Sequence, residues 1–173
     1  MLSLTDKRQL VAVIFIILTL SFIFIQSALP PVISSSESSA VSDWVADIVA
    51  GIIGDDSPEA IARAEAAAAF INKNMRKIAH MVEFAALGSE VALLGCFMLL
   101  SEGEARIKRR ALLAISLMSG LLVAFCDESI QILSKRGPSV TDVWIDLAGY
   151  SLLLIPLHFI AFAVLKKRKK TEE

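Results

Sequence analysis

Apolar and polar positions fall along this chain in long blocks. Leu10 to Leu29 is apolar apart from Thr19, Ser21, Gln26 and Ser27. At about 1.5 Å per residue, about 20 such residues cross a hydrocarbon core of about 30 Å, so 10–29 is the first predicted span. Pro30-Pro31 ends it, because proline lacks the backbone donor and its ring clashes with the preceding turn. A basic start before an apolar run also fits a signal peptide, but no clean small-x-small cleavage site follows, and an uncleaved anchor is expected. The second span is read at 77–100, the third at 111–133 and the fourth at 140–165. The third is the informative one. The apolar run Ala111 to Phe125 rises only about 23 Å, short of the core, so the helix must continue through Asp127, Glu128 and Gln131 to Leu133. Gly137-Pro138 marks the turn, and Ser139 with Asp142 three residues on resembles a capping box with Asp in place of Glu.

The connector between the first two spans, 30–76, carries its own pattern. Ser34 to Ser39 is serine-rich. Val41, Trp44, Val45, Ile48, Val49 and Ile52 then recur at helical spacing with Asp43 and Asp47 opposite, which predicts a short helix on the membrane surface over 41–53. Gly54-Asp55-Asp56 breaks it. Ser57 is a cap for a second short helix, with Pro58 at its first position and Glu59 in its first turn, running through Ala60 to Phe70 as far as Asn72 or Asn74. The expected fold is all-α, a single integral membrane domain. It comprises a bundle of four transmembrane helices, with short surface helices between the first and second spans.

Composition agrees with the pattern. The 173 residues are 55% hydrophobic and the mean hydropathy is +0.66, outside the range of ordinary soluble domains. The net charge of -1 conceals a separation of charge. Lys7-Arg8, Arg106 to Arg110 and Lys166 to Lys170 must share one side if there are four spans, and the positive-inside rule makes that side the cytoplasm. The chain is therefore expected as a multi-pass plasma-membrane protein with both termini cytoplasmic, the connector and the turn at 134–139 facing outward. The basic runs read as juxtamembrane signals with some attraction for anionic lipids, and no nucleic-acid partner is expected. No nucleotide-binding loop or redox motif is present. Cys96 and Cys126 fall in apolar segments near opposite faces, so no disulfide is expected.

Counting depth from the cytoplasmic ends puts His80, Glu83, Asp127, Glu128, Gln131, Asp142 and Asp146 at one level, in or near the outer leaflet. Ionisable groups in a bilayer are costly and mark sites that face other helices or a wet cavity. His80 and Glu83 share a helical face, as do Glu128 and Gln131, and Asp142, Asp146 and Gly149. Three such stripes turned inward make a polar pocket opening outward, with Arg136 above it. Glu128 is the favoured member of the third stripe, and Asp127 is expected to pair locally. Gly88 and Gly149 allow close helix approach. Glu90 and His158 lie deeper and are expected to pair between the second and fourth spans.

The run Lys77-x-x-His80-x-x-Glu83-Phe84-x-x-Leu87-Gly88, then Asp127-Glu128-x-x-Gln131, then Arg136-Gly137-x-Ser139-x-x-Asp142, Asp146 and Gly149 resembles the VanZ-like membrane protein family, over about Lys77 to Leu154. The resemblance implies an association with resistance to the glycopeptide antibiotic teicoplanin. It carries Lys77, His80, Glu128, Gln131, Arg136, Asp142 and Gly149 as motif positions. Glu83 and Asp146 depart from the residues many relatives have there, an aromatic and Asn. The expected function is envelope-level resistance through a pocket that binds a lipid-linked or lipophilic ligand, in contact with membrane lipids and with a lipid-linked cell-wall precursor or lipoglycopeptide antibiotic. In that pocket Arg136 grips a phosphate or carboxylate. The alternative is an intramembrane enzyme acting on a lipid-linked envelope substrate. No resident cofactor is expected; were a metal bound, His80, Glu128 and Asp142 are the expected ligands.

Overall fold

The computed structural model describes residues 4–29, 44, 47–48, 51, 57–101, 106–133 and 139–172. Four α-helices make up almost all of this: α1 (Leu4–Ala28), α2 (Pro58–Ser101), α3 (Arg106–Leu133) and α4 (Val140–Glu172). Each contains a segment long and apolar enough to cross a membrane, at Lys7–Ala28, Asn74–Leu99, Arg110–Leu133 and Val140–Val164. The four-span reading stands, and the protein is a multi-pass membrane protein. The surface helix expected over 41–53 falls on a stretch of which only Trp44, Asp47, Ile48 and Gly51 are described, all helical and exposed.

One boundary differs from expectation. The helix capped by Ser57, whose hydroxyl accepts the Ala60 amide at 3.3 Å, does not stop near Asn74. It continues through Lys77 into the second span as one 44-residue helix. Between Pro58 and Gly88 there is neither glycine nor proline, and Ala66 to Ala69 has the highest helix propensity available, so nothing breaks the hydrogen-bond ladder. Its length of about 66 Å is twice the hydrocarbon thickness. About 16 residues therefore project beyond the span, and Arg76 and Lys77 stand where the rod meets the membrane. α3 likewise begins earlier than the span expected at 111–133, and takes in the basic run at 106–110.

The outside of the bundle is apolar and part of the inside is polar. Val11, Phe15, Leu18, Phe22 and Ile25 of α1 are exposed, as are Ile115, Met118 and Leu122 of α3 and Leu152, Phe159 and Ile160 of α4. The buried set includes Ile23, Phe84, Leu87, Ala124, Tyr150 and Leu154, but also Ser27, Asp127, Glu128, Gln131, Asp146 and His158. Such a distribution suits a chain whose solvent is lipid, since apolar side chains gain nothing by hiding from hydrocarbon and polar ones gain everything.

α2 and α4 form the most extensive contact. Glycine makes it possible. A Cβ on Gly149 would collide with the Met81 carbonyl oxygen, and one on Gly88 with the Tyr150 carbonyl oxygen. Gly120 of α3 leaves room for the Tyr150 ring, whose hydroxyl donates to the Ser116 carbonyl at 2.9 Å. α1 packs through the i, i+4, i+8 series Thr19, Ile23 and Ser27. Thr19 donates to Glu90 Oε1 at 2.8 Å, so Glu90 is met from α1, and the pairing expected with His158 of α4 gives way to this one. The Thr19 hydroxyl lies on the face of α1 turned to α2, whereas the spacing of Glu90 and His158 alone carries no information about α1.

Gly149→Ala and Gly88→Ala should each destabilise the bundle by about 1–3 kcal/mol, because backbone on a facing helix cannot yield as a side chain can. Gly95→Ala, whose Cβ would meet only the end of the Leu112 side chain at 3.2 Å, should cost less. Denaturant titration of the purified protein in detergent micelles measures the order, and a Gly95 variant as damaged as the Gly149 variant would contradict it.

Candidate functional site

The polar groups collect at one end of the bundle, where α1 and α3 finish and where the span of α2 and α4 begin. Asp127 is at the centre and has no exposed surface. Its Oδ1 accepts from the Ser27 hydroxyl of α1 at 2.5 Å, and its Oδ2 accepts from the Gln131 amide, one turn further along α3, at 2.7 Å. His80 of α2 brings Nδ1 to 3.7 Å from the same Oδ2. The Gln131 carbonyl oxygen in turn accepts from the Arg76 guanidinium. Arg76, Gln131, Asp127 and Ser27 thus form one chain of hydrogen bonds across α2, α3 and α1. A carboxylate that accepts several donors is far better tolerated away from water than a bare one.

Glu128, next along α3, does something else. Its Oε1 accepts the backbone N–H of Ser139, the residue that caps α4. The Ser139 hydroxyl accepts the Asp142 amide at 3.3 Å, as the capping pattern predicts. In the usual box the residue three positions on reaches back to the cap amide. Here Asp142 instead pairs with Lys77 Nζ at 3.1 Å, and Glu128 supplies the return bond from another helix. This tie joins the end of α3 to the start of α4. The other oxygen of Glu128, Oε2, is buried and has no hydrogen-bond partner among the described residues.

A cavity of about 230 Å³ opens beside this network, lined by Arg76, Lys77, His80, Gln131, Asp142, Ile145 and Asp146. Asp146 is 2% exposed. It faces the carboxyls of Asp127, Asp142, Glu128 and Glu83. Glu83 is half-buried beside Asp127, with no hydrogen-bond partner for Oε2 among the described residues.

The residues named from spacing therefore divide. His80, Gln131, Asp142, Asp146 and Lys77 line the cavity. Asp127 stands immediately behind them as the acceptor of the hydrogen-bond chain, not as a locally paired group. Glu128 is turned to the α3–α4 junction. The roles expected of these two neighbours are exchanged, because Gln131 bonds to the residue four positions back rather than three, and because Ser27 approaches from α1 on the Asp127 side. Arg136 lies outside the described residues. The ligand set expected for a metal also changes. The atoms that come within 4.8 Å of one another belong to His80, Asp127 and Asp146, rather than to His80, Glu128 and Asp142. Two participants were not foreseen. Arg76 had a signal, since it precedes His80 by one helical turn and shares its face. Ser27 had a weaker one, as the last hydroxyl of the stripe that also holds Thr19.

Removing the Ser27 hydroxyl leaves one oxygen of a buried carboxylate unmet. Ser27→Val should lower stability by about 1–3 kcal/mol, whereas Ser27→Thr, which keeps the donor, should remain close to the parent. Parallel denaturant titrations of the two variants decide it, and indistinguishable midpoints would remove Ser27 from the network.

No curated protein and no solved structure matches the chain. Residues 10–162, most of the chain, match the VanZ/LLP1 family, a match that reaches into all four spans and includes every polar residue of the cavity. This four-helix membrane protein belongs to the VanZ/LLP1 family.

Proposed function

We propose that the protein acts in the cell envelope, giving resistance to a glycopeptide antibiotic of the teicoplanin type through a polar pocket that opens to the outer face and binds a lipid-linked ligand. The observation that carries this reading is the cavity itself. It sits at the membrane boundary between α2, α3 and α4, with two cationic side chains, Arg76 and Lys77, on a lining completed by His80, Gln131, Asp142, Ile145 and Asp146. Guanidinium and ammonium groups at that position suit a phosphate or carboxylate headgroup whose hydrocarbon tail stays in the surrounding lipid. The basic runs at Lys7-Arg8, 106–110 and 166–170 belong to the opposite end of the bundle, and the positive-inside rule then favours an outward pocket.

Size narrows the ligand. At about 230 Å³ the cavity is smaller than the roughly 300–1,000 Å³ typical of sites that enclose a drug-sized molecule. It suits a headgroup fragment and is too small to enclose a glycopeptide. Handling of a lipid-linked wall precursor, the target of such antibiotics, fits better than direct capture of the antibiotic. The grip first expected of Arg136 is available from Arg76.

Teicoplanin susceptibility of cells carrying the parent, Arg76→Ala, Lys77→Ala and the double variant, at matched membrane abundance, tests the proposal. The double variant should lose most of the protection and each single variant part of it. Full protection by the double variant would exclude the pocket as the seat of resistance.

A further inference from the structure

Five carboxylates gather around the cavity: Asp142 and Asp146 on its wall, and Glu83, Asp127 and Glu128 near enough to act on Asp146. Among the described residues three basic groups face them. Lys77 is committed to Asp142, and Arg76 bonds to the Gln131 carbonyl rather than to an acid. The His80 ring lies against Asp127 and Asp146, which are 0% and 2% exposed. Buried like charges at such spacing are relieved by a shared proton or by a cation between them. Asp146 shows neither a hydrogen bond nor an ion pair among the described residues, although the residue is only 2% exposed and lines the cavity.

We propose that His80, Asp127 and Asp146 hold a divalent metal ion at the floor of this cavity, with its remaining coordination positions open to the cavity. The three ligand atoms lie within 4.8 Å of one another, and His80 Nδ1 and Asp127 Oδ2 are 3.7 Å apart. That separation is too long for a hydrogen bond. Ligands at about 2.0–2.2 Å from a shared ion stand roughly 3–4.4 Å apart, so small side-chain shifts close the trio. The surroundings match a metal centre in a second respect. Coordinating carboxylates are held in place by hydrogen bonds from an outer shell, and Asp127 has two, from Ser27 and Gln131. The Gln131 bond leaves the second lone pair of Oδ2 free to coordinate.

One imidazole nitrogen with two carboxylates suits a first-row ion such as Mn²⁺ or Zn²⁺ better than Ca²⁺, which takes six to eight oxygens. An ion with three protein ligands keeps positions for exchangeable water, as catalytic centres do and closed structural sites do not. In this cavity those positions lie beside Arg76 and Lys77. A phosphate or carboxylate oxygen of a bound headgroup would reach the ion and both cations together. The proposal shares the pocket with the functional reading above, but it is tested without any lipid ligand or antibiotic, so either can fail alone.

The test is Mn²⁺ binding to the full-length protein in detergent micelles, followed by electron paramagnetic resonance after chelator treatment. The expected result is one saturable Mn²⁺ per chain, displaced by Zn²⁺, with ¹⁴N modulation from the imidazole in the pulsed spectrum. Asp146→Asn should weaken binding at least tenfold, and His80→Gln should abolish the ¹⁴N signal while residual binding persists. Thermal stability should rise with Mn²⁺ in the parent and not in Asp146→Asn, a readout that does not depend on either variant folding perfectly. Absence of saturable Mn²⁺ or Zn²⁺ binding to the parent at millimolar metal would overturn the proposal. So would parental affinity in Asp146→Asn, or a bound ion with no nitrogen coupling.

Discussion

Asp127 sits fully buried in a bundle whose outer surface is apolar, and most of what surrounds it can be understood as a response to that position. An aspartate costs about 2.5–3.5 kcal/mol at the centre of a membrane helix on insertion scales, and Asp127, in the last two turns of α3, meets part of that cost. An interhelical hydrogen bond in a membrane protein returns about 0.6 kcal/mol on average and at most about 1.7. Asp127 has the Ser27 hydroxyl, the Gln131 amide and the nearby imidazole of His80, drawn from three helices. Arg76 extends the chain through Gln131 to the membrane boundary, where its charge is least costly.

The rest of the bundle keeps these partners in reach. Gly88 and Gly149 bring the backbones of α2 and α4 close enough for Lys77 to meet Asp142 and for His80 to lie near Asp146. Tyr150 fills the space that Gly120 leaves and anchors α4 to α3 through Ser116. Glu128 ties the cap of α4 to α3, so the acids of the two helices stay at one depth. At mid-bundle the Thr19–Glu90 bond gives α1 a second polar attachment, apart from the cavity.

Helical periodicity carries much of this architecture. Span lengths, the proline stop after α1, the Ser57 and Ser139 caps and the convergence of polar residues at one end all follow from positions along the chain. What periodicity leaves open is the choice between adjacent residues. Asp127 and Glu128 are about 100° apart on α3, and either can pair with Gln131, at i, i+4 or i, i+3. The choice depends on where α1 sits, and α1 is almost featureless in sequence apart from its hydroxyls. The continuity of α2 was obscured for another reason. Charged Lys73, Arg76 and Lys77 resemble the edge of a span, which they are, but the edge of a span need not be the end of a helix.

Synthesis proceeds from the N-terminus, and segments assemble largely in that order. Ser27 on α1 and Arg76, Lys77 and His80 on α2 are therefore made before Asp127 and Glu128 on α3, and those before Asp142 and Asp146 on α4. The hydroxyl and the basic groups are already present when most of the acids they face arrive, Glu83 being the one pocket acid made alongside them. A helix carrying Asp127 thus need not enter bare lipid. It can partition directly against a surface that holds its partners, and the order of helices along the chain becomes part of how a third span carrying buried carboxyls is inserted.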